Sequence, residues 1–213
     1  MKNTIIFDLD GTLLNTLFDL ADSTNFALEL NGYPKRTVEE VRQFVGNGVK
    51  NLMIRALPKN VGEDVIEKCL GDFKEHYAKN MRNKTAPYDG IMELLKELKS
   101  KGIKIGVVPN KYDKAVKELC LEYFGNLIDI AVGEREGIAK KPAPDSVFEA
   151  MRELNAEKED VLYIGDSDTD METAINAEVS SVGVTWGFRD EKLLVETGAT
   201  YIARKPEDIL KFI

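Results

Sequence analysis

The sequence predicts an α/β fold, a doubly wound parallel sheet interrupted after its first strand by an all-helical insertion. Three observations carry that expectation. The run Thr4-Ile5-Ile6-Phe7 is apolar throughout, as a strand buried on both faces requires, and it ends in Asp8-Leu9-Asp10-Gly11. From Pro87 onward, strand-like and helix-like patterns alternate to the end of the chain, the signature of a parallel sheet covered by helices. Between these regions, residues 15–82 carry helical periodicity and no strand pattern.

The elements follow in order. After Leu14, the positions Phe18, Leu20, Ala21, Ala27, Leu28 and Leu30 form one apolar helix face, which Gly32-Tyr33-Pro34 stops. Thr37 and Glu40 have capping-box spacing and start a short helix running to about Phe44. Gly46-Asn47-Gly48 interrupts, and residues 49–57 resume as helix. Across 63–81, Ile66, Cys69, Leu70, Phe73 and Tyr77 recur at helical spacing. The expected division is therefore a core of residues 1–14 and 83–213 with a helical insertion at 15–82. In the core, helix 89–101 ends at Gly102, and strand 103–108, a helix over 114–123 and strand 127–132 follow. Helix 145–154, strand 161–164, helix 170–177, strand 181–184, a short helix near 190–196, strand 201–203 and a terminal helix complete it.

Composition narrows the function. An apolar content of 43% with 31% charged residues describes an ordinary globular protein, and 213 residues suffice for one large core with an insertion. A net charge of −8 provides no basic face for a nucleic-acid backbone, while a phosphorylated small molecule needs only a few local cations. No segment has the length of a membrane span, and the N-terminus reads as strand rather than signal peptide. The expected setting is cytoplasmic, as monomer or homodimer. Cys69 and Cys120 lie far apart in helical patterns and read as reduced, buried thiols. His76, the single histidine, stands among charged residues in a helix and reads as solvated.

The candidate chemistry lies at strand ends. Asp8 and Asp10 suit an ordinary acidic turn and a cation site equally well. A calcium loop is excluded, because Gly11 arrives too early and no acid closes a twelve-residue loop. As a site, the pair suits a hard divalent ion such as Mg2+ beside a carboxylate free to attack or to move protons. In open α/β sheets ligands bind beyond the carboxyl ends of the strands, where Asp8, Asn110 and Asp166 all fall, and an insertion leaving from that edge would act as a lid. Gly165-Asp166-Ser167-Asp168-Thr169-Asp170 holds more carboxylates than helix capping by Ser167 or Asp168 requires. Lys140-Lys141-Pro142-Ala143-Pro144 places lysines in a proline-stiffened loop, and Pro109-Asn110-Lys111 offers an amide and a further cation. The loop around Gly46, Asn47 and Gly48 is either a plain interhelical turn or a segment reaching the site. Phe18 and Arg55 are further candidates for substrate contact.

Taken in order, Asp8-Leu9-Asp10-Gly11-Thr12, Asn110-Lys111, Lys141-Pro142 and Gly165-Asp166-Ser167-x-x-Asp170 resemble the four motifs of the haloacid dehalogenase superfamily. The insertion resembles that superfamily's C1 helical cap, and the wording of the middle motifs is similar to its phosphoglycolate phosphatase and pyrophosphatase subgroup. The resemblance implies a Rossmann-like core and a phosphatase working through an aspartyl-phosphate. Asp8 would be the nucleophile and Asp10 the acid and base. Mg2+ would be held by the Asp8 carboxylate, the Asp10 carbonyl and Asp166, with Asp170 ordering metal-bound water. Lys141 would neutralise charge between nucleophile and phosphate. A small phosphorylated metabolite such as 2-phosphoglycolate is the expected partner, with a pyrophosphatase or phosphomutase as alternatives. Two positions depart from the pattern, Asn15 where relatives often carry an acid and Pro109 where they carry Thr or Ser. Losing a donor to a charged oxygen weakens transition-state stabilisation by roughly 1.5–3 kcal/mol. Lys111, Asn110 and Thr12 are placed to compensate, and a catalytically weak phosphate-binding protein is the reading from another class.

Overall fold

The computed structural model describes residues 2–213. The chain forms two compact units, one made of the residues up to Leu14 with Pro87–Ile213, the other of Asn15–Ala86. The core unit opens with β1 (Thr4–Phe7), and a ribbon of β2 (Leu14–Asn15) and β3 (Ala86–Pro87) marks where the chain leaves and returns. Ile5, Ile6 and Phe7 are fully buried. Burial at this level stabilises by about 1.5–3 kcal/mol per side chain, against about 1–2 kcal/mol for ordering each residue's backbone.

The helical unit contains α1 (Leu17–Leu30), α2 (Val38–Phe44), α3 (Gly48–Ala56) and α4 (Glu63–Asn80). The capping box at α2 is formed on both sides, Thr37 accepting from the Glu40 N–H and Glu40 from the Thr37 N–H. α1 lies along α4, where His76 stacks on Phe26 with ring centroids 4.2 Å apart and its Nδ1 is 3.0 Å from Ser23 Oγ. His76 is therefore half-buried rather than solvated, because the Phe26 ring of α1 stacks against it. Cys69 and Cys120 are free and buried. Asp19, in the first turn of α1, is 1% exposed and accepts from the backbone N–H groups of Lys84 and Thr85 and from the Thr85 hydroxyl, at 2.9–3.0 Å. One carboxylate thus ties the start of the unit to its end.

The core continues with α5 (Ile91–Ser100), β4 (Lys104–Val107), α6 (Asp113–Phe124), β5 (Ile130–Ala131), α7 (Asp145–Leu154) and β6 (Val161–Gly165). It ends with α8 (Asp168–Ala177), β7 (Ser180–Val184), α9 (Glu191–Glu196) and β8 (Tyr201–Ala203). The sheet order is β5-β4-β1-β6-β7-β8 with every pair parallel, a Rossmann-like arrangement. Alternation places Ile6, Val161 and Tyr163 in one cluster with Val147, Ala150, Met151 and Ala174 of α7 and α8.

Boundaries differ from expectation for local reasons. α5 starts at Ile91 because Gly90 is left-handed, with φ 85°. α8 starts at Asp168 because Ser167 and Asp170 form a capping box. The strand expected over 127–132 is a 3-10 turn at Gly125–Leu127 followed by a two-residue edge strand, and the terminal helix is 3-10 over Pro206–Phe212. Among the described residues, no helix is long and apolar enough to cross a membrane.

Replacing Asp19 by Ala is expected to lower the unfolding free energy by about 1.5–3 kcal/mol, since buried donors lose a charged acceptor. Urea denaturation followed by circular dichroism reads this as a lower midpoint; a midpoint equal to the parent's would remove the clamp from the account.

Candidate active site

Sheet order reverses between β1 and β6, the neighbours from which the chain winds outward in opposite directions. A crevice at such a point is where open α/β sheets bind ligands. Asp8 follows β1 directly, its N–H donating to the Ile164 carbonyl at 2.8 Å and so extending the ladder by one residue. Asp166 follows β6, and Asp170 lies in the first turn of α8. Their carboxylates converge, each offering an oxygen within 4.8 Å of the others, and all three residues are buried. Lys141 enters from the loop before α7. Its ammonium lies 2.7 Å from Asp170 Oδ1, 3.0 Å from Asp8 Oδ1 and 3.1 Å from the Tyr163 hydroxyl.

Glycines make this convergence possible. A Cβ at Gly11, whose φ of 89° already favours glycine, would run into the Asp166 carboxylate. One at Gly187 would strike Asp166 and the Gly11 carbonyl, and one at Gly165 would strike Asp170. Backbone therefore packs directly against the Asp166 and Asp170 side chains.

The three acids are not equivalent. Asp170 Oδ1 accepts from Lys141 and from the Tyr163 hydroxyl at 3.0 Å. Its Oδ2 accepts from Ser167 Oγ at 2.6 Å and from the N–H groups of Ser167 and Asp166 at 3.1 and 3.2 Å. Asp170 is thereby committed to holding Lys141 and the start of α8. Asp166 accepts one bond per oxygen, from the Thr12 hydroxyl at 2.9 Å and the Phe188 N–H at 2.8 Å, leaving a lone pair on each. Asp8 Oδ1 is buried with no aligned hydrogen bond, although the Lys141 ammonium stands beside it.

Charge follows from this geometry. Burial pushes the Asp8 carboxyl well above its ordinary range, Asp170, Asp166 and Asp10 push it further, and Lys141 pulls against them. Burial and then Asp170 raise Asp166 to about 7. Burial alone would lower the Lys141 ammonium, but Asp170 and Asp8 outweigh it and hold it well above its usual value. Burial followed by Asp170 likewise raises the Tyr163 phenol. One ammonium among three buried carboxylates leaves negative charge uncompensated, and the donors are all hard oxygens. The cluster fits a divalent cation, with Asp8 and Asp166 as the side chains free to hold it.

The remaining sequence candidates divide. Asp10 accepts from the Lys111 ammonium at 2.8 Å, a pair mostly shielded from water. The Thr12 hydroxyl is engaged by Asp166, and both polar atoms of the Asn110 side chain by the Lys141 backbone. Gly46, Asn47 and Gly48 belong to the helical unit, at the joint between α2 and α3, where Arg55 bonds the Phe44 carbonyl at 2.8 Å.

Sequence reasoning missed Tyr163, which alternation marks only as core, and the turn after β7. There the Trp186 indole N–H donates to the Thr12 carbonyl at 3.0 Å, and Gly187 gives the clearance described above. The available signal was their place at the end of a strand, on the edge that carries Asp166.

Fold and site together define a hydrolase class, and comparison with known proteins agrees. Residues 5–184 match the family model of the haloacid dehalogenase-like hydrolases, and the chain belongs to that family. It is 32% identical to phosphoglycolate phosphatase 1 of Pseudomonas aeruginosa, covering 99% of this chain and 79% of that one. To the phosphoglycolate phosphatase of Vibrio parahaemolyticus it is also 32% identical, covering 98% and 95%. Among solved structures, a candidate phosphoglycolate phosphatase from Lactobacillus delbrueckii subsp. bulgaricus superposes with a TM-score of 0.96 at 36% identity, covering 100% and 99%. The chain is an enzyme of the phosphatase class within this family.

The raised acids dictate a pH dependence. With Asp8 and Asp166 raised, the folded state keeps protons that the unfolded chain has released. Stability without metal therefore falls as pH rises from the ordinary carboxylate range towards about 7, and stays reduced above it unless a cation takes the protons' place. Melting temperatures between about pH 4 and pH 8 are expected to show this fall, smaller in Asp166→Asn, where only Asp8 still contributes, and reversed in the parent by a divalent cation near pH 8. An identical profile for the variant would contradict the assignment.

Proposed function

We propose that the enzyme hydrolyses a small phosphorylated metabolite, such as 2-phosphoglycolate, through an aspartyl-phosphate on Asp8, with Mg2+ as its metal. The observation that carries this reading is the Lys141 ammonium 3.0 Å from Asp8, itself held by Asp170. A carboxylate attacks a phosphate dianion only where cations screen the repulsion, and a fixed lysine at the nucleophile supplies part of that screen. Mg2+ held by Asp8 and Asp166 would supply the rest, offsetting the charge of the phosphoryl oxygens.

An Asp8 oxygen attacks phosphorus as the ester P–O bond breaks, and Asp10 gives its proton to the departing oxygen. Asp10 then takes a proton from water, whose oxygen attacks the acyl phosphate, releasing phosphate and restoring Asp8. Lys111, 2.8 Å from Asp10, steadies the carboxylate left after Asp10 has given up its proton, until water returns one. Asp166 and Thr12 act as a pair, the hydroxyl orienting the carboxylate that would hold the cation. The relatives' names support the choice of 2-phosphoglycolate. A cytoplasmic setting belongs to the same reading.

Pro109 favours a slow version of this enzyme. It is buried beyond β4 and has neither N–H nor hydroxyl to offer a phosphoryl oxygen. Pro109→Thr is expected to raise kcat about tenfold or more. An unchanged or lower kcat would mean that the position does not limit turnover.

Purified protein assayed against 2-phosphoglycolate, pyrophosphate and an aryl phosphate tests the whole reading. Turnover is expected to be greatest with 2-phosphoglycolate, to vanish with a chelator and to return with Mg2+. Asp8→Asn is expected to lower kcat by more than about a thousandfold. Activity surviving that substitution would rule out a covalent route through Asp8. Preference for pyrophosphate would replace the substrate while keeping the mechanism.

A further inference from the structure

Asn110 stands just past β4, three residues beyond Val107, and its side-chain amide meets the backbone of one residue twice. The Lys141 N–H donates to Asn110 Oδ1 at 2.9 Å, and Asn110 Nδ2 donates to the Lys141 carbonyl at 3.0 Å. The paired bonds close a ring and fix both the position and the orientation of that peptide segment. Lys141 is consequently held at two ends. Its backbone is gripped by Asn110, and its ammonium is caught among Asp170, Asp8 and the Tyr163 hydroxyl. A lysine side chain has a flexible four-carbon stem, so the ammonium's place depends on where the stem begins. Lys141 lies outside strand and helix, and its neighbours are held by the Ala143 N–H on the Lys140 carbonyl at 2.9 Å, by Lys140 on Glu134 at 2.8 Å and by Asn176 Nδ2 on the Pro142 carbonyl at 2.8 Å.

We propose that Asn110 is a positioning residue which sets the Lys141 ammonium against the nucleophile, rather than a group that binds the substrate's phosphoryl oxygens. This rests on the reading of Asp8 as nucleophile and Lys141 as its charge partner. The amide acts through Lys141 on the step in which charge moves from the phosphoryl group to the departing oxygen. It contributes nothing further to holding the substrate. A displacement of about 1 Å at a catalytic group costs on the order of a hundredfold in rate, which sets the size of the effect.

Steady-state kinetics on an aryl phosphate with Mg2+ test the proposal. Asn110→Ala is expected to lower kcat roughly ten- to a hundredfold while KM stays within about twofold, the pattern of a lost transition-state interaction. In a Lys141→Arg background, where the ammonium's fit is already gone, the same substitution is expected to cost less than about twofold more. Asn110→Asp keeps the side chain's shape and the acceptor for the Lys141 N–H but loses the donor. It is expected to follow the same kinetic pattern, and it stands in should the alanine variant not fold. A raised KM with kcat unchanged would overturn the proposal in favour of substrate binding by the amide. Fully independent losses in the Lys141→Arg background would overturn it as well. A parent protein without turnover would instead bring down the hydrolase reading on which the proposal rests, so the two failures are told apart.

Discussion

Three buried carboxylates and one buried ammonium crowd the ends of the two central strands, and most of the core's unusual features answer to that charge. Two like charges about 4 Å apart repel by about 4 kcal/mol at the effective dielectric of a protein. Removing each ion from water costs several kcal/mol more. Lys141 alone does not balance this, so the site retains protons in the absence of a cation, as the raised Asp8 and Asp166 carboxyls express. The strain is tolerated because the strands beneath are buried on both faces and paired along their full length.

The same charge explains the division of labour among the acids. Asp170 is saturated by five donors and functions as an anchor for Lys141. Asp166 is oriented by one donor on each oxygen and keeps capacity for a metal. Asp8 has a buried oxygen with no aligned donor, which supports the proposal that it is the reactive member. Each role follows from who donates to the carboxylate, not from the residue type, which is the same in all three.

Most of the architecture was legible in the sequence because it rests on local rules. Apolar runs marked β1 and β6, the Thr37–Glu40 spacing marked a cap that forms on both sides, and glycines marked the breaks. The polar residues at the strand ends could be read as one site because a parallel sheet gathers all those ends on one edge. What escaped depends on pairings between distant parts of the chain. Tyr163 looks like any core aromatic until Asp170 and Lys141 meet its hydroxyl. The sequence offers the Asn110 amide to substrate, and its grip on a residue 31 positions away has no local signature. Trp186 and Gly187 matter only because β7 delivers them beside Asp166 and the Thr12 turn. His76 was misread because its charged sequence neighbours hid the Phe26 ring that covers it.

We hold that a cation bound by Asp8 and Asp166 would complete this charge arrangement while Asp170 keeps its protein partners. A crystal structure of the protein grown with Mn2+ in place of Mg2+, with anomalous diffraction to locate the ion, tests it directly. One ion bound by the carboxylates of Asp8 and Asp166 is expected, with Lys141, Tyr163 and Ser167 still bonded to Asp170. An ion coordinated by Asp170 with Lys141 displaced, or no ion at the cluster, would contradict it.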